Sequence, residues 1–216
     1  MPYLQEISSV GGIRTAIWQI TETAEELLAG LQLTSRELDI YVKFSHELRK
    51  RQWLAYRALL KHMLAPLPAS LHYDNHGKPC LDSGSHYISA SHAGEFAAVA
   101  CSKQYRVGID IERIRERVER VKERFLQEKE LEMMTSIDRL DQLYIYWGGK
   151  EALYKLHGTP DVDFRNDIYI HPFDYLCNTD QNFRAAITSG ECVTEYSLVY
   201  RKIGEYMLVM AYGRGE

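Results

Sequence analysis

Two stretches of helical periodicity, each set among short alternating segments, constrain this chain most. Across 35–64, Leu38, Tyr41, Phe44, Leu48, Trp53, Tyr56, Leu59, Leu60 and Met63 recur mostly at threes and fours, the spacing of one helix face. Pro66 and Pro68 end that stretch, because proline lacks the amide a helix needs. The spacing predicts a second long helix over 137–157, closed by Gly158 and Pro160. A shorter helical pattern covers 25–31. Strand-like patterns occupy 13–20, 107–111 and 87–101, the last broken at Ala93-Gly94. Segments 196–200 and 206–211, split around Gly204, predict a terminal hairpin. Asn75, Gly77 and Pro79 mark a turn region, and the charge-dense 113–132 predicts a solvated helix or loop. Each half thus offers a long helix and several strands. The expected fold is α+β, with two similar lobes, 1–105 and 106–216, of about 100 residues each.

Composition narrows the class. Hydrophobic residues make up 45% and charged residues 26%, a balance that supports a packed core rather than disorder. No apolar run approaches the roughly 20 residues that span a bilayer, and MPYLQEISSV has neither the basic nor the apolar region of a signal peptide. A cytoplasmic location is expected. Cys80, Cys101, Cys177 and Cys192 form no CxxC pair, which disfavours zinc and suits buried thiols in a reducing compartment. A net charge of -4 disfavours a general nucleic-acid binder.

Several residues stand out chemically. Asp110 and Glu112, in VGIDIE, fall at i and i+2, so a strand puts both carboxylates on one face and Ile109 and Ile111 on the other. Like charges that close call for a cation, and oxygen donors suit magnesium. An amphipathic edge strand with two solvated acids has the same pattern. In WGGKEALYKLHG, Glu151 and Lys155 are i,i+4 neighbours, the spacing of an ordinary ion pair. Gly148 and Gly149 would each cost a helix interior about 1 kcal/mol. They make sense where something approaches the backbone closely, or where the helix simply starts at Gly149. Lys78 sits on the turn GKP, and Ser91 and His92 lie at a strand break. Arg49, Lys50 and Arg51, with Lys43 and Arg57 nearby, form a basic cluster that is either solvated or holds phosphates.

Taken in order, GKP, SH, GIDIE, FLQEKE and WGGKEALYK resemble the 4'-phosphopantetheinyl transferase superfamily, over about 43–158. The likeness is to the pseudo-dimeric type that activates peptide synthetases. It implies two lobes related by pseudo-twofold symmetry with the active site at their interface, and a monomer as the working form. By resemblance, Asp110, Glu112 and Glu151 hold Mg2+, and the enzyme is of the holo-acyl-carrier-protein synthase type. Coenzyme A is the substrate, and the partner is an apo acyl- or peptidyl-carrier protein whose serine attacks the β-phosphate, releasing adenosine 3',5'-bisphosphate. Glu151 or a metal-bound water takes the serine proton, while Lys155, with Lys150 beside it, stabilises charge. Lys78, Pro79, Ser91 and His92 match phosphate contacts. Arg51 matches the 3'-phosphate contact, with Arg49 and Lys43 as company. Glu130 matches the glutamate of a further motif that begins at Phe125, in a supporting role. Gly148-Gly149 departs from the family, where serine or threonine is common. Two other readings share some features. A metal-dependent nuclease also combines acids with lysine, but usually on one strand, and a non-catalytic relative would bind coenzyme A or carriers without transfer.

Overall fold

The computed structural model describes residues 4–177 and 180–214, with 4–10 by their backbone only. The chain divides into two compact units, Met1–Tyr105 and Arg106–Glu216.

The first unit begins with β1 (Leu4–Val10) and β2 (Ile13–Gln19), followed by α1 (Ala24–Ala29), α2 (Ser35–Tyr41) and α3 (Glu47–Leu64). Then come β3 (Leu71–Tyr73), β4 (Pro79–Leu81), β5 (Tyr87–Ala93) and β6 (Phe96–Ser102). Its main sheet has the order β1-β2-β6-β5, while β3 and β4 pair separately. Helix α3 buries Trp53, Leu54, Leu59 and Leu60 in one core with Ile88, Ala97 and Val99 of the sheet. Thr23 and Thr34 start α1 and α2 with capping boxes completed by Glu26 and Glu37, which satisfy amides that the first helical turn leaves over.

The single helix expected over 35–64 is two helices. A buried ion pair spans the break between Glu37 and Arg57, whose Oε1 and Nε are 3.1 Å apart. Twenty residues along one straight helix span about 30 Å, so that pair forms only if the chain turns back between α2 and α3. Leu38 and Leu48, read as core positions, are exposed.

The second unit opens on β7 (Tyr105–Arg113) and continues through two 3-10 turns, Glu116–Arg120 and Lys122–Arg124, to α4 (Glu128–Glu132) and α5 (Arg139–His157). Strands β8 (Ile168–Ile170), β9 (Gln181–Ser189), β10 (Cys192–Ile203) and β11 (Tyr206–Arg214) complete it. The sheet order is β7-β11-β10-β9-β8. The terminal hairpin is longer than its pattern indicated, pairing Ser197 with Tyr212 at one end and Ile203 with Tyr206 at the other. The segment 113–132 is not merely solvated: Val118, Phe125, Leu126 and Glu130 are buried. Gly158 ends α5 at φ 85°, a left-handed cap that glycine adopts without steric cost. In each unit the strand before the long helix (β2, β7) lies beside the last strand (β6, β11). The mixed α and β character agrees with the sequence. Among the described residues no helix is long and apolar enough to cross a membrane.

Candidate active site

Strand β7 and helix α5 meet backbone to backbone. A Cβ on Gly108 would lie 1.8 Å from the Ala152 carbonyl oxygen, so only glycine lets the helix come this close. Gly108, Asp110 and Glu112 share one strand face by the two-residue period, and Asp110 Oδ2 is 3.7 Å from where a Gly148 Cβ would be. The glycine of VGIDIE thus seats α5 against the face that carries both acids. The question left open by Gly148-Gly149 is resolved: α5 starts at Arg139, both are interior, and sheet side chains crowd them. Added Cβ atoms would meet Val209 Cγ2 at 2.9 Å and Ile170 Cδ1 at 3.1 Å.

This seating brings Glu151 and Lys155 to Asp110 and Glu112. Lys155 Nζ donates to Asp110 Oδ1 at 2.7 Å and to the Ile109 carbonyl at 3.2 Å. Burial, then repulsion from Asp110 and Glu112, pushes the Glu151 carboxyl up to about 7 against the opposing pull of Lys155. Glu112 is raised by burial and then by Asp110, with Arg117, Lys155 and a hydrogen bond from Trp147 acting the other way. A cavity of about 270 Å³ adjoins Glu112, walled by Val118, Val121, Tyr144 and Trp147. Among the described residues, no three His, Cys, Asp or Glu side chains form a ready-made metal cage. The donor chemistry nonetheless fits a hard cation, since Glu112 and Glu151 are both raised in proton affinity by burial and by the neighbouring Asp110 carboxylate.

Lys150, expected beside Lys155 in catalysis and cofactor binding, has other work. It is fully buried, and its ammonium donates to Glu130 Oε2 at 2.9 Å, the Phe164 carbonyl at 3.0 Å and the Ile168 carbonyl at 2.8 Å. Those three acceptors match the three N–H bonds of an ammonium. Burial lowers its pKa, and Glu130 opposes the fall. Glu130 also accepts from the Gln127 and Ile170 amides. Phe125 meets Trp147 edge-on, with centroids 5.0 Å apart. FLQEKE therefore braces WGGKE at two points, Phe125 on Trp147 and Glu130 on Lys150, a pairing that sequence spacing did not reveal.

In the first unit the basic cluster sorts itself. Arg51, the expected 3'-phosphate residue, instead donates through Nε to the Glu22 carbonyl at 2.7 Å and through Nη2 to the Ile20 carbonyl at 3.2 Å. Arg49 Nη1 touches His92 Nε2. Lys43 is exposed, and Arg57 is buried over the Trp53 ring. Ser91 is buried on β5, next to His92. Asp74 accepts from the His76 and Lys78 amides and so fixes the turn that presents Lys78. Lys78 and Pro79 line a cavity of about 310 Å³.

The family model of the 4'-phosphopantetheinyl transferase superfamily matches residues 106–198, which include all of β7 but its first residue, α5 and every acid and lysine placed on them above. This segment is thus similar to that superfamily. The 4'-phosphopantetheinyl transferase AcpT of Escherichia coli O157:H7 is 34% identical over 119 residues, covering 51% of this chain and 59% of that protein. AcpT of E. coli K12 matches with the same identity and coverage. AcpT of Salmonella typhimurium LT2 is 33% identical over 116 residues, 51% of this chain and 60% of that protein. The chain thus matches less than two thirds of these curated relatives' length.

Proposed function

We propose that the protein transfers the 4'-phosphopantetheine group of coenzyme A to a serine of an apo carrier protein, with Mg2+ as cofactor. The observation that carries this reading is the seating of Glu151 and Lys155 against Asp110 and Glu112 within a segment similar to that superfamily. Asp110, Glu112 and Glu151 would hold the ion, which supplies charge neutralisation at the pyrophosphate oxygens. Glu151, with its proton affinity near neutrality, is suited to accept the serine proton as the hydroxyl attacks. The displaced phosphate leaves on adenosine 3',5'-bisphosphate, and Lys155 meets the negative charge that grows there. Arg49 and His92 together, with Lys78 on its turn, form the phosphate-binding side; Arg49 replaces Arg51 as the candidate for the 3'-phosphate.

The test is incubation with a fluorescent coenzyme A analogue, Mg2+ and a panel of apo carriers, both acyl and peptidyl. The expected result is label on at least one carrier, lost when its acceptor serine is replaced by alanine. Absence of label on every carrier, with the analogue still bound, would make the chain a binding relative instead.

A further inference from the structure

The turn that carries Lys78 closes the β3–β4 hairpin, and the two ends of that hairpin are held by different chemistry. At the base, Leu71 and Leu81 lie opposite each other, and both are buried in the first unit's apolar core. At the tip, Tyr73 lies opposite Pro79, directly before the turn. The two-residue period puts Tyr73 on the same strand face as Leu71. Its hydroxyl lies 2.7 Å from the Tyr56 hydroxyl and accepts from Arg57 Nη2 at 3.2 Å. Tyr56 and Arg57 belong to α3.

Arg57 is a fixed donor. Its guanidinium carbon lies 3.3 Å from the centroid of the Trp53 ring, and Nε donates to Glu37 Oε1 at 3.1 Å. Nη1 donates to the Tyr56 hydroxyl and to the Trp53 carbonyl. Glu37 is itself locked, since its other carboxylate oxygen accepts from the Thr34 amide and hydroxyl. Arg57, Glu37 and Tyr56 are all buried. A buried guanidinium held by directed bonds and an aromatic face has little freedom, so Tyr73 meets a rigid anchor. The same helix carries Arg49, whose guanidinium touches His92. Arg49 and Arg57 stand about 12 Å apart along its axis. Helix α3 thus fixes the spacing between the Arg49–His92 pair and the hairpin tip.

We infer that Tyr73 is a positioning residue for coenzyme A: its hydroxyl, held by Tyr56 and Arg57, sets where Lys78 stands relative to Arg49 and His92. The inference rests on the reading of those three as phosphate contacts. Tyr73 acts through the turn rather than on the ligand. Asp74, next in the chain, transmits the anchor: its carboxylate accepts from the His76 and Lys78 amides, and its own amide donates to the Lys78 carbonyl.

Tyr73→Phe keeps the ring and removes only the oxygen. Calorimetry should show coenzyme A binding about tenfold weaker, as when one charged contact is lost, and Lys78→Ala should weaken it at least as much. In the transfer assay KM should rise by a similar factor with kcat within about twofold, because a binding contact is displaced while Glu151 and Lys155 stay as they were. A double-mutant cycle separates positioning from a general loosening of the unit. In a Lys78→Ala background Tyr73→Phe should cost no further affinity, whereas loosening would cost the same in both backgrounds. Unchanged affinity in Tyr73→Phe, or equal losses with and without Lys78, overturns the positioning role and leaves the transferase reading standing; wild-type protein that binds no coenzyme A overturns both.

Discussion

At Glu151, desolvation and the charges of Asp110 and Glu112 outweigh the attraction of Lys155, and the carboxyl is pushed up to about 7 from its ordinary 4.5. The consequence for stability has a definite sign. A group whose folded pKa is raised contributes stability that is fully present below about 4.5 and lost as pH rises through about 7. Glu151→Gln carries no charge at any pH and escapes that loss. Its melting temperature should exceed the wild type's at pH 8, and the gap should close as pH falls toward 5; a gap independent of pH would show that Glu151 is not strained by its neighbours. Lys155 is tested by rate. If it meets charge developing on the phosphate, Lys155→Ala should lower kcat by about 100-fold with a smaller effect on coenzyme A affinity. Single-turnover transfer at near-wild-type rate would return it to an ordinary pairing with Asp110. The acids were legible in the sequence because a strand's two-residue period leaves little choice of face. Arg49, Lys50 and Arg51 were not, since consecutive helical residues point in different directions and only α3's placement decides which one meets His92. Lys150 was misread because its burial comes from β8 and α4, which lie far from it in the sequence.

The elements around the site depend on close backbone approach, and glycine substitutions grade it. Gly108→Ala sets a methyl against the Ala152 backbone, which cannot move aside without lifting α5 from β7. A loss of about 3 kcal/mol or more in denaturant unfolding is expected, at or above the usual cost of overpacking. Gly149→Ala meets the ends of the Ile170 and Leu198 side chains and the Phe183 ring, not backbone, and gains about 1 kcal/mol of helix propensity, so its effect should be far smaller. If the two variants lose equal stability, the β7–α5 seating is wrong. The brace from α4 gives a second check. Lys150→Met leaves Glu130 buried without its ammonium and should cost about 3–5 kcal/mol, whereas Lys150→Met with Glu130→Gln should cost less than the sum of the two singles. Most elements could be read from local pattern: β2, β5, β6, β7 and α5 each carry a clear period and a stop signal. The break between α2 and α3 was hidden because the Glu37–Arg57 pair across it is a tertiary contact that local periodicity does not report. The 3-10 turns before α4 were hidden because their charges mask the few buried anchors, Val118 and Phe125.

For the whole molecule, what holds the fold and what would perform the proposed reaction are separable. Each unit has its own apolar core, built on Trp53, Leu59 and Val99 in one and on Leu143, Leu153 and Leu198 in the other, and neither core needs an ion to close. Removing Mg2+ with a chelator should therefore abolish transfer while leaving the circular dichroism spectrum native, unlike a small zinc domain that unfolds when stripped. Adding Mg2+ back should raise the melting temperature, because a ligand that binds only the folded state stabilises it by mass action. That increment belongs to the carboxylates. A cation competes with protons for Glu151, so at pH 8, where the group is ionised, Mg2+ should stabilise more strongly than at pH 6, where most of it is protonated. Glu151→Gln should lose most of the increment at pH 8 and most of its dependence on pH. Ca2+ at equal concentration separates site binding from general screening, since the two ions carry the same charge but prefer different coordination geometry. Equal stabilisation by Mg2+ at both pH values, or an increment unchanged in Glu151→Gln, would remove Glu151 from the ion and leave it only the proton of the attacking serine.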